Sequence, residues 1–196
     1  MVSIPLRFAK KNVSDNYASP DMPKGDFIIL TAHRRENVGE GMKSIFAAVS
    51  EIASTEMIDV VYPVHKNEKI HPFVREAFSG NEYVKVIAPL RVWDFHNFLA
   101  RCKFVITDSG GIQEEAAYLG KPILITRKVT ERKELFTNIG VKLVGTDKNE
   151  IVLSAKRLIE NEAFYRSASN PSLAFGDGSA SVKIADIIER LPACSH

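Results

Sequence analysis

From residue 26 onward the chain alternates short apolar runs with longer amphipathic stretches. The runs are hydrophobic at consecutive positions and predict strands: Phe27 to Thr31, Val60 to Val64, Val84 to Ile87, Phe104 to Thr107, Pro122 to Ile125 and Lys142 to Val144. Such runs are typical of parallel strands that are covered by helices on both faces. We therefore predict an α/β fold with a doubly wound parallel sheet.

The two clearest helices lie near the end of the chain. Residues 148–159 repeat apolar side chains at helical spacing. The segment from Val182 to Leu191 places four apolar side chains on one face: Ile184, Ile187, Ile188 and Leu191. Residues 1–25 contain Asn, Ser, Pro and Gly without a sustained period, which predicts a linker or arm. We assign residues 26–196 to one folded domain.

Composition and charge exclude several classes of function. The chain has 196 residues, 45% hydrophobic and 26% charged, which suffices for one core. Its 26 basic and 24 acidic residues are spread along the chain, so nothing favours nucleic acid or a membrane surface as a partner. No apolar run resembles a signal peptide or a membrane span, and we expect a cytoplasmic protein. Cys102 and Cys194 form neither a disulfide framework nor a metal spacing, and we predict no metal and no cofactor.

The most specific motif is Asp-Ser-Gly-Gly-Ile-Gln-Glu-Glu, from Asp108 to Glu115, between a predicted strand and a helix. Gly110 and Gly111 leave backbone N–H groups and the positive end of the helix accessible to a diphosphate. Ser109 can add a hydroxyl donor or cap the helix. Glu115 follows Gly111 by one helical turn, where a carboxylate suits ribose hydroxyls better than phosphate. The competing interpretation is structural: a serine cap, a glycine turn and glutamates that complement the helix dipole.

A basic cluster, His33, Arg34 and Arg35, follows the first predicted strand. The carboxyl ends of parallel strands share one edge of the sheet, so this cluster should lie on the same edge as the glycine turn. An imidazole and guanidiniums can hold a diphosphate or assist its departure. Solvated surface charge explains either arginine equally well, whereas the position of His33 at a strand end favours a functional role.

Three further side chains are weaker candidates on their own. His65 follows the second strand, Arg132 follows the fifth strand next to Glu131, and Phe95 lies in an aromatic stretch. Each has a structural alternative: a satisfied histidine, a local ion pair and a core aromatic ring. Their positions in the fold decide between these readings.

Together with Pro63-Val64-His65, Gly120-Lys121-Pro122 and Gly176-Asp177-Gly178, these motifs resemble the C-terminal half of the non-hydrolysing bacterial UDP-N-acetylglucosamine 2-epimerases. The match runs in order and spacing over residues 26–191. The resemblance implies the C-terminal, Rossmann-like domain of the GT-B architecture, in which the second of two domains holds most of UDP. It also implies interconversion of UDP-N-acetylglucosamine and its manno epimer by elimination and re-addition of UDP. In the family the proton-transferring carboxylates belong to the N-terminal domain, which has no counterpart in these 196 residues.

The resemblance also implies roles for residues that match the family motifs. Ser109, Gly110 and Gly111 would bind the diphosphate. Glu115 would bind the ribose, and Phe95 would lie near the uracil. UDP or a UDP-N-acetylhexosamine is therefore the expected ligand.

Four basic side chains complete the roles that the resemblance implies. His33 would contact the phosphate and assist UDP departure, which makes it the catalytic candidate. Arg34 and His65 match positions that help hold a second, activating UDP-sugar between the domains, and Arg132 is a further activator or phosphate contact.

The chain departs from the family pattern at Lys133, where proline is common, and at residues 172–174, which separate Asn-Pro from the aromatic residue before Gly-Asp-Gly. A reshaped loop beside the nucleotide is therefore expected.

Three hypotheses for the function remain: an epimerase half that is inactive without an N-terminal half, a stand-alone UDP or UDP-sugar binding module, or half of a GT-B glycosyltransferase. The apolar last helix predicts that an N-terminal-half chain or a second copy in a homodimer covers it.

Overall fold

The computed structural model describes residues 9–177 and 179–190. One sheet holds all six predicted strands: β1 (Phe27–Thr31), β2 (Asp59–Pro63), β3 (Val84–Ile87), β4 (Phe104–Thr107), β5 (Ile123–Ile125) and β6 (Val141–Leu143). Neighbouring strands are parallel, and their order across the sheet is β3-β2-β1-β4-β5-β6. This is the Rossmann order, and it confirms the predicted fold class.

Helices connect the strands and cover the sheet. They are α1 (Glu40–Glu56), α2 (His71–Phe78), α3 (Val92–Arg101), α4 (Gly110–Tyr118), α5 (Lys148–Glu160), α6 (Glu162–Ala168) and α7 (Ala180–Glu189). Short 3-10 helices lie at Arg35–Asn37, Glu68–Ile70 and Lys133–Thr137. The helices predicted over residues 148–159 and 182–191 correspond to α5 and α7. Of the residues named in the sequence motifs, Gly178, Leu191 and Cys194 lie outside the described residues.

The core lies on both faces of the sheet. Ile28 and Leu30 of β1 belong to a buried cluster that includes residues of α1, α2 and α5. Phe27 and Ile29 point the other way, into a cluster with residues of α3 and α4. Successive side chains of a strand face opposite sides, so burial of both faces explains why β1 is apolar at consecutive positions.

Residues 9–25, the described part of the predicted linker or arm, lie against α3. The segment begins with a helical turn, and Ala9 is fully buried. Further along, the hydroxyl of Tyr17 donates a hydrogen bond to the Asp94 carboxylate of α3 at 2.8 Å. Side-chain hydrogen bonds therefore attach this segment to the sheet domain, and the boundary at residue 25 stays a prediction.

The described residues contain neither a membrane-spanning helix nor a cluster of metal ligands. None of the helices there is both long and apolar enough to cross a membrane. No group of three or more His, Cys, Asp and Glu side chains in residues 9–177 and 179–190 is arranged to hold a metal ion. Cys102 is a free buried thiol, and burial raises its pKa to about 12.

Candidate functional site

The order of strands along the sheet reverses between β1 and β4, which are neighbours. Connections leave the two strands toward opposite halves of the sheet, and open α/β sheets bind ligands in the crevice that results. The chain segment after β1 carries His33 and Arg34, and the segment after β4 carries Asp108 and Ser109. The basic cluster and the glycine motif therefore meet where this fold places ligands.

A buried carboxylate, Asp108, ties the two segments together. Its Oδ2 accepts hydrogen bonds from the backbone N–H of His33 at 3.0 Å, from that of Arg34 at 2.8 Å and from the Asn37 amide at 3.1 Å. The Arg34 guanidinium donates in turn to the Asp108 carbonyl at 3.0 Å. A carboxylate excluded from water requires such donors. Asp108 therefore fixes the position of His33 relative to the glycine turn.

The glycine turn forms the beginning of α4. Ser109 precedes the helix, but its hydroxyl makes no capping hydrogen bond, which argues against the purely structural reading of this serine. A methyl group built on Gly111 meets nothing within 4 Å, so Gly111 faces open space. The first N–H groups of a helix have no partner inside it and carry the positive end of its dipole. The beginning of α4 therefore suits an anion that approaches Gly111 closely.

Ion pairs hold the loop after β5 over the beginning of α4. Arg127, whose side chain is 8% exposed, pairs with Glu36 at 3.0 Å and with Glu131 at 2.7 Å. Arg132 pairs with Glu131 at 2.8 Å and with Glu114 of α4 at 2.6 Å. The local ion pair between Glu131 and Arg132, an alternative that the sequence left open, is thus present. This loop forms a fixed wall beside the glycine turn.

His33 and His65 stack with ring centroids 4.7 Å apart and ring planes 11° from parallel. The Nδ1 atom of His33 lies 3.5 Å from Asp108 Oδ1. Burial lowers the pKa of His33; the negative charge of Asp108 opposes this shift, and electrostatic repulsion from the neighbouring His65 ring and from Arg34 adds to it. The surroundings of His33 therefore favour its neutral form, because its pKa falls below the ordinary histidine value of about 6.5.

Two hollows share the stacked histidines as a wall. The larger, of about 870 Å³, is lined by His33, Arg34, Arg35, Val38, His65, Asn67 and Lys69. The smaller, of about 160 Å³, extends to the half-buried ring of Phe95 and to Ile112 of α4. Phe95 is therefore accessible at the crevice, and a basic hollow and an apolar one adjoin at His33.

The predicted site residues fall into three groups. His33, Arg34, His65 and Phe95 line the hollows. Ser109 directly precedes α4, and Gly110, Gly111 and Glu115 lie on it. Arg132 packs against α4 through its ion pair with Glu114. Glu115 lies one turn into α4, with 20% of its side chain exposed, and faces His96 of α3. Four of the predicted residues thus line the two hollows, and the other five lie on α4, directly before it or on the loop that packs against it.

We did not predict the anchoring role of Asp108 or the ion pairs of Arg127 from the sequence. A signal for Asp108 exists, since an acidic residue directly after a fully buried strand needs donors nearby. Its partner Asn37 is 71 positions away, and Glu36 lies 91 positions from Arg127. Contacts between residues so far apart in the sequence cannot be predicted from a local pattern of residues.

The fold is that of a Rossmann-like domain, and its structural neighbours have the GT-B architecture. Residues 3–189 match the family model of UDP-N-acetylglucosamine 2-epimerase. The chain belongs to this family, as the resemblance predicted.

Individual relatives agree with this assignment. The chain is 43% identical to UDP-N-acetylglucosamine 2-epimerase of Bacillus subtilis over 178 residues. This match covers 89% of the chain and 47% of the Bacillus protein. The S. aureus MnaA–UDP co-structure is 41% identical with a TM-score of 0.88, over 94% of this chain and 52% of that one. The structure of UDP-GlcNAc 2-epimerase from Neisseria meningitidis bound to UDP-GlcNAc is 36% identical, with a TM-score of 0.81. The match covers 85% of this chain and 45% of the Neisseria chain. The chain spans about half the length of the relatives it matches.

Proposed function

We propose that the chain is the UDP-binding half of a UDP-N-acetylglucosamine 2-epimerase and holds the nucleotide in the crevice between β1 and β4. The proposal rests mainly on the geometry at the beginning of α4. Gly111 faces open space there, and the Ser109 hydroxyl makes no capping hydrogen bond. The ligands of two relatives, UDP and UDP-GlcNAc, support the choice of nucleotide.

The diphosphate would bind at the first turn of α4. Backbone N–H groups of Gly110 and Gly111 and the hydroxyl of Ser109 would donate to its oxygens. The absence of a side chain on Gly111 lets a phosphate approach the backbone, and the loop held by Arg127 limits its movement on one side.

The nucleoside would extend from the diphosphate along α4 toward Phe95. Glu115, one turn further into the helix, would accept hydrogen bonds from the ribose hydroxyls. The exposed face of Phe95 in the smaller hollow offers an apolar surface to uracil.

His33 would assist the departure of UDP. Asp108 is an acceptor, so the Nδ1–H of neutral His33 faces it and the unshared pair lies on Nε2. A diphosphate adds negative charge that raises the pKa of His33, and the imidazole then takes up a proton from solvent at Nε2. The resulting N–H donates to a phosphate oxygen and stabilises the negative charge that remains on UDP when the bond to the sugar breaks.

The larger hollow would bind a second UDP-sugar as an activator. Arg34, Arg35 and Lys69 give it positive charge, and His65 supplies a ring that already stacks on His33. Arg132 is a less available phosphate contact, because two carboxylates already pair with it. In the family this ligand lies between two domains, so the site would be incomplete in the chain alone.

The 196 residues would bind UDP weakly and would not epimerise a substrate alone. Proton removal and return at C2 of the sugar need carboxylates, which the family resemblance assigns to the N-terminal half. We therefore expect turnover only in the presence of such a half.

Calorimetry with UDP tests the binding site. Glu115→Ala and Ser109→Ala should each weaken UDP binding by about tenfold, since a hydrogen bond from or to a ligand contributes roughly 1–2 kcal/mol. Glu160→Ala, which removes an exposed carboxylate from α5, is the matched control and should bind UDP as the unchanged chain does. Unchanged affinity in both site variants would contradict the assignment.

A second experiment separates an epimerase half from a binding module. The chain is mixed with the separately produced N-terminal half of a family member, and conversion of UDP-N-acetylglucosamine to its manno epimer is followed. An epimerase half restores conversion, whereas a stand-alone module binds UDP without conversion. A glycosyltransferase half would consume UDP-sugar only when an acceptor is added.

A further inference from the structure

His96 is a buried histidine with no role in the proposed chemistry. It lies on α3, its side chain is 2% exposed, and its Nε2 makes no hydrogen bond within the described residues. The Nε2 atom lies 3.5 Å from Oε2 of Glu115, close enough for electrostatic attraction but not within hydrogen-bond geometry. A buried polar atom without a partner is costly, so its orientation toward Glu115 requires an explanation.

The other ring nitrogen of His96 determines where the proton lies. Its Nδ1 accepts a hydrogen bond from the side-chain amide of Asn12 at 2.8 Å. An acceptor at Nδ1 places the proton of the neutral ring on Nε2, which then points toward a carboxylate. The opposite tautomer would set an N–H against the Asn12 amide and an unshared pair against Glu115. Both contacts therefore favour the same tautomer.

Asn12 is itself held in place by α3. The Asn97 side-chain amide donates to the Asn12 carbonyl at 2.7 Å, and the Asn97 side-chain oxygen accepts from the backbone N–H of Ser14 at 2.9 Å. The guanidinium of Arg101 donates to the same oxygen at 3.1 Å. The segment before β1 is thus fixed to the helix that carries His96.

We propose that His96 is a positioning residue for ribose recognition. Electrostatic attraction from its Nε2–H draws one oxygen of the Glu115 carboxylate toward α3 and leaves the other for the ribose hydroxyls, while Asn12 maintains the tautomer that this requires. A chain of contacts therefore links the segment before β1 to the nucleotide site. The inference rests on the proposed UDP site and adds to it the residue that sets the geometry of Glu115.

The first test compares the affinities for UDP and for 2′,3′-dideoxy-UDP, which lacks both hydroxyls. The unchanged chain should prefer UDP by about tenfold, the effect of one hydrogen bond to a charged group. His96→Leu should lose most of this preference, and His96→Gln should retain it because its amide N–H can replace Nε2–H. A merely structural histidine would change both affinities alike and leave their ratio intact, and that result in a folded His96→Leu chain would overturn the proposal.

The second test needs no ligand. Nitrogen-15 NMR of the imidazole rings should show His96 as the neutral tautomer with its proton on Nε2, and a proton on Nδ1 would overturn the proposal. The two tests separate this inference from the proposed function. If the unchanged chain binds neither nucleotide, the proposed function and the ribose role fail together, while the tautomer still decides whether His96 donates toward Glu115.

Discussion

At the scale of single residues, the state of His33 depends on two opposing effects at one buried position. Asp108 lies 3.5 Å from the imidazole and is itself excluded from water, so its negative charge favours the imidazolium. Burial of the ring and electrostatic repulsion from the neighbouring His65 ring and Arg34 favour the neutral form and prevail. A bound diphosphate would add further negative charge beside His33 and so favour the imidazolium. The residue is therefore poised to gain a proton when the nucleotide binds.

The pKa of His33 yields a prediction for stability against pH. An NMR titration without UDP should give a midpoint below about 6.5, the value of an unperturbed histidine. The folded chain then binds this proton less readily than the unfolded chain, so stability is unaffected above about pH 6.5 and falls as the pH drops from there toward the folded pKa. His33→Gln should reduce the fall in melting temperature over this interval.

The contribution of His33 to the pH dependence of stability can be separated from that of the two glutamates with shifted pKa values. Glu131 and Glu150 have lowered pKa values, so their contributions to stability are lost only at lower pH than that of His33. Addition of UDP should raise the His33 midpoint. A midpoint above about 6.5 in the chain without UDP would contradict this account of the site.

At the scale of elements, the two glycines at the beginning of α4 serve different purposes, one in the packing of the loop and one in ligand binding. A methyl group on Gly110 would lie 3.2 Å from Glu131 Oε1 and 3.4 Å from Arg132 Cζ, atoms that ion pairs hold in place. A methyl group on Gly111 would enter open space. The two neighbouring glycines therefore have different reasons to lack a side chain.

Alanine at these two positions gives matched variants. Gly111→Ala should leave the free energy of unfolding unchanged or raise it by up to about 1 kcal/mol, because alanine favours helix, and should weaken UDP binding by about tenfold or more. Gly110→Ala should be less stable than Gly111→Ala by about 1 kcal/mol, because it crowds the loop. Urea unfolding and calorimetry measure both quantities. Full UDP affinity in Gly111→Ala would show that the phosphate does not approach this position.

The elements also show how far the sequence determines the fold. The strands were predictable because they are short apolar runs, and the four inner strands, β2, β1, β4 and β5, are buried on both faces. Of the six, β1, β3 and β4 have the predicted ends. The segment before β1 gave no periodic signal, since hydrogen bonds such as that from Tyr17 to Asp94 attach it to α3. Local patterns report the burial of a segment. They do not report pairings between polar groups that are distant in the chain.

The candidate site was predictable to the same extent. Topology brings strand ends together, so the presence of His33 and Ser109 on one edge of the sheet was predictable, whereas the pairing of their strands was not. The neutral state of His33 and the ion pairs over Gly110 depend on distances that only the folded chain defines.

At the scale of the whole molecule, α7 exposes an apolar surface. None of its residues is buried, and Val182, Ile184, Ile187 and Ile188 are between 55% and 62% exposed. Exposed apolar patches of this kind mark interaction sites. We expect an N-terminal half to cover α7 when it is present, and a second copy of the chain to do so otherwise.

Sedimentation velocity tests this expectation for the chain alone. The double variant Ile184→Lys with Ile188→Lys should shift the chain from dimer to monomer at concentrations where the unchanged chain associates. It should leave UDP affinity unchanged, because α7 lies outside the proposed site. Leu153→Lys, which alters an exposed leucine on α5, is the control and should not affect association. Equal association in all three chains would exclude α7 as the contact surface.

The central claim, that UDP binds at the crevice between β1 and β4, is tested most directly by mapping the bound nucleotide with backbone amide NMR. We predict that UDP shifts the resonances of Ser109, Gly110 and Gly111 most strongly, with further shifts at His33 and Phe95. Another hollow of about 200 Å³, bordered by residues that include Ile139 and Phe164, serves as the internal comparison. Shifts confined to that hollow, with the beginning of α4 unchanged, would contradict the claim.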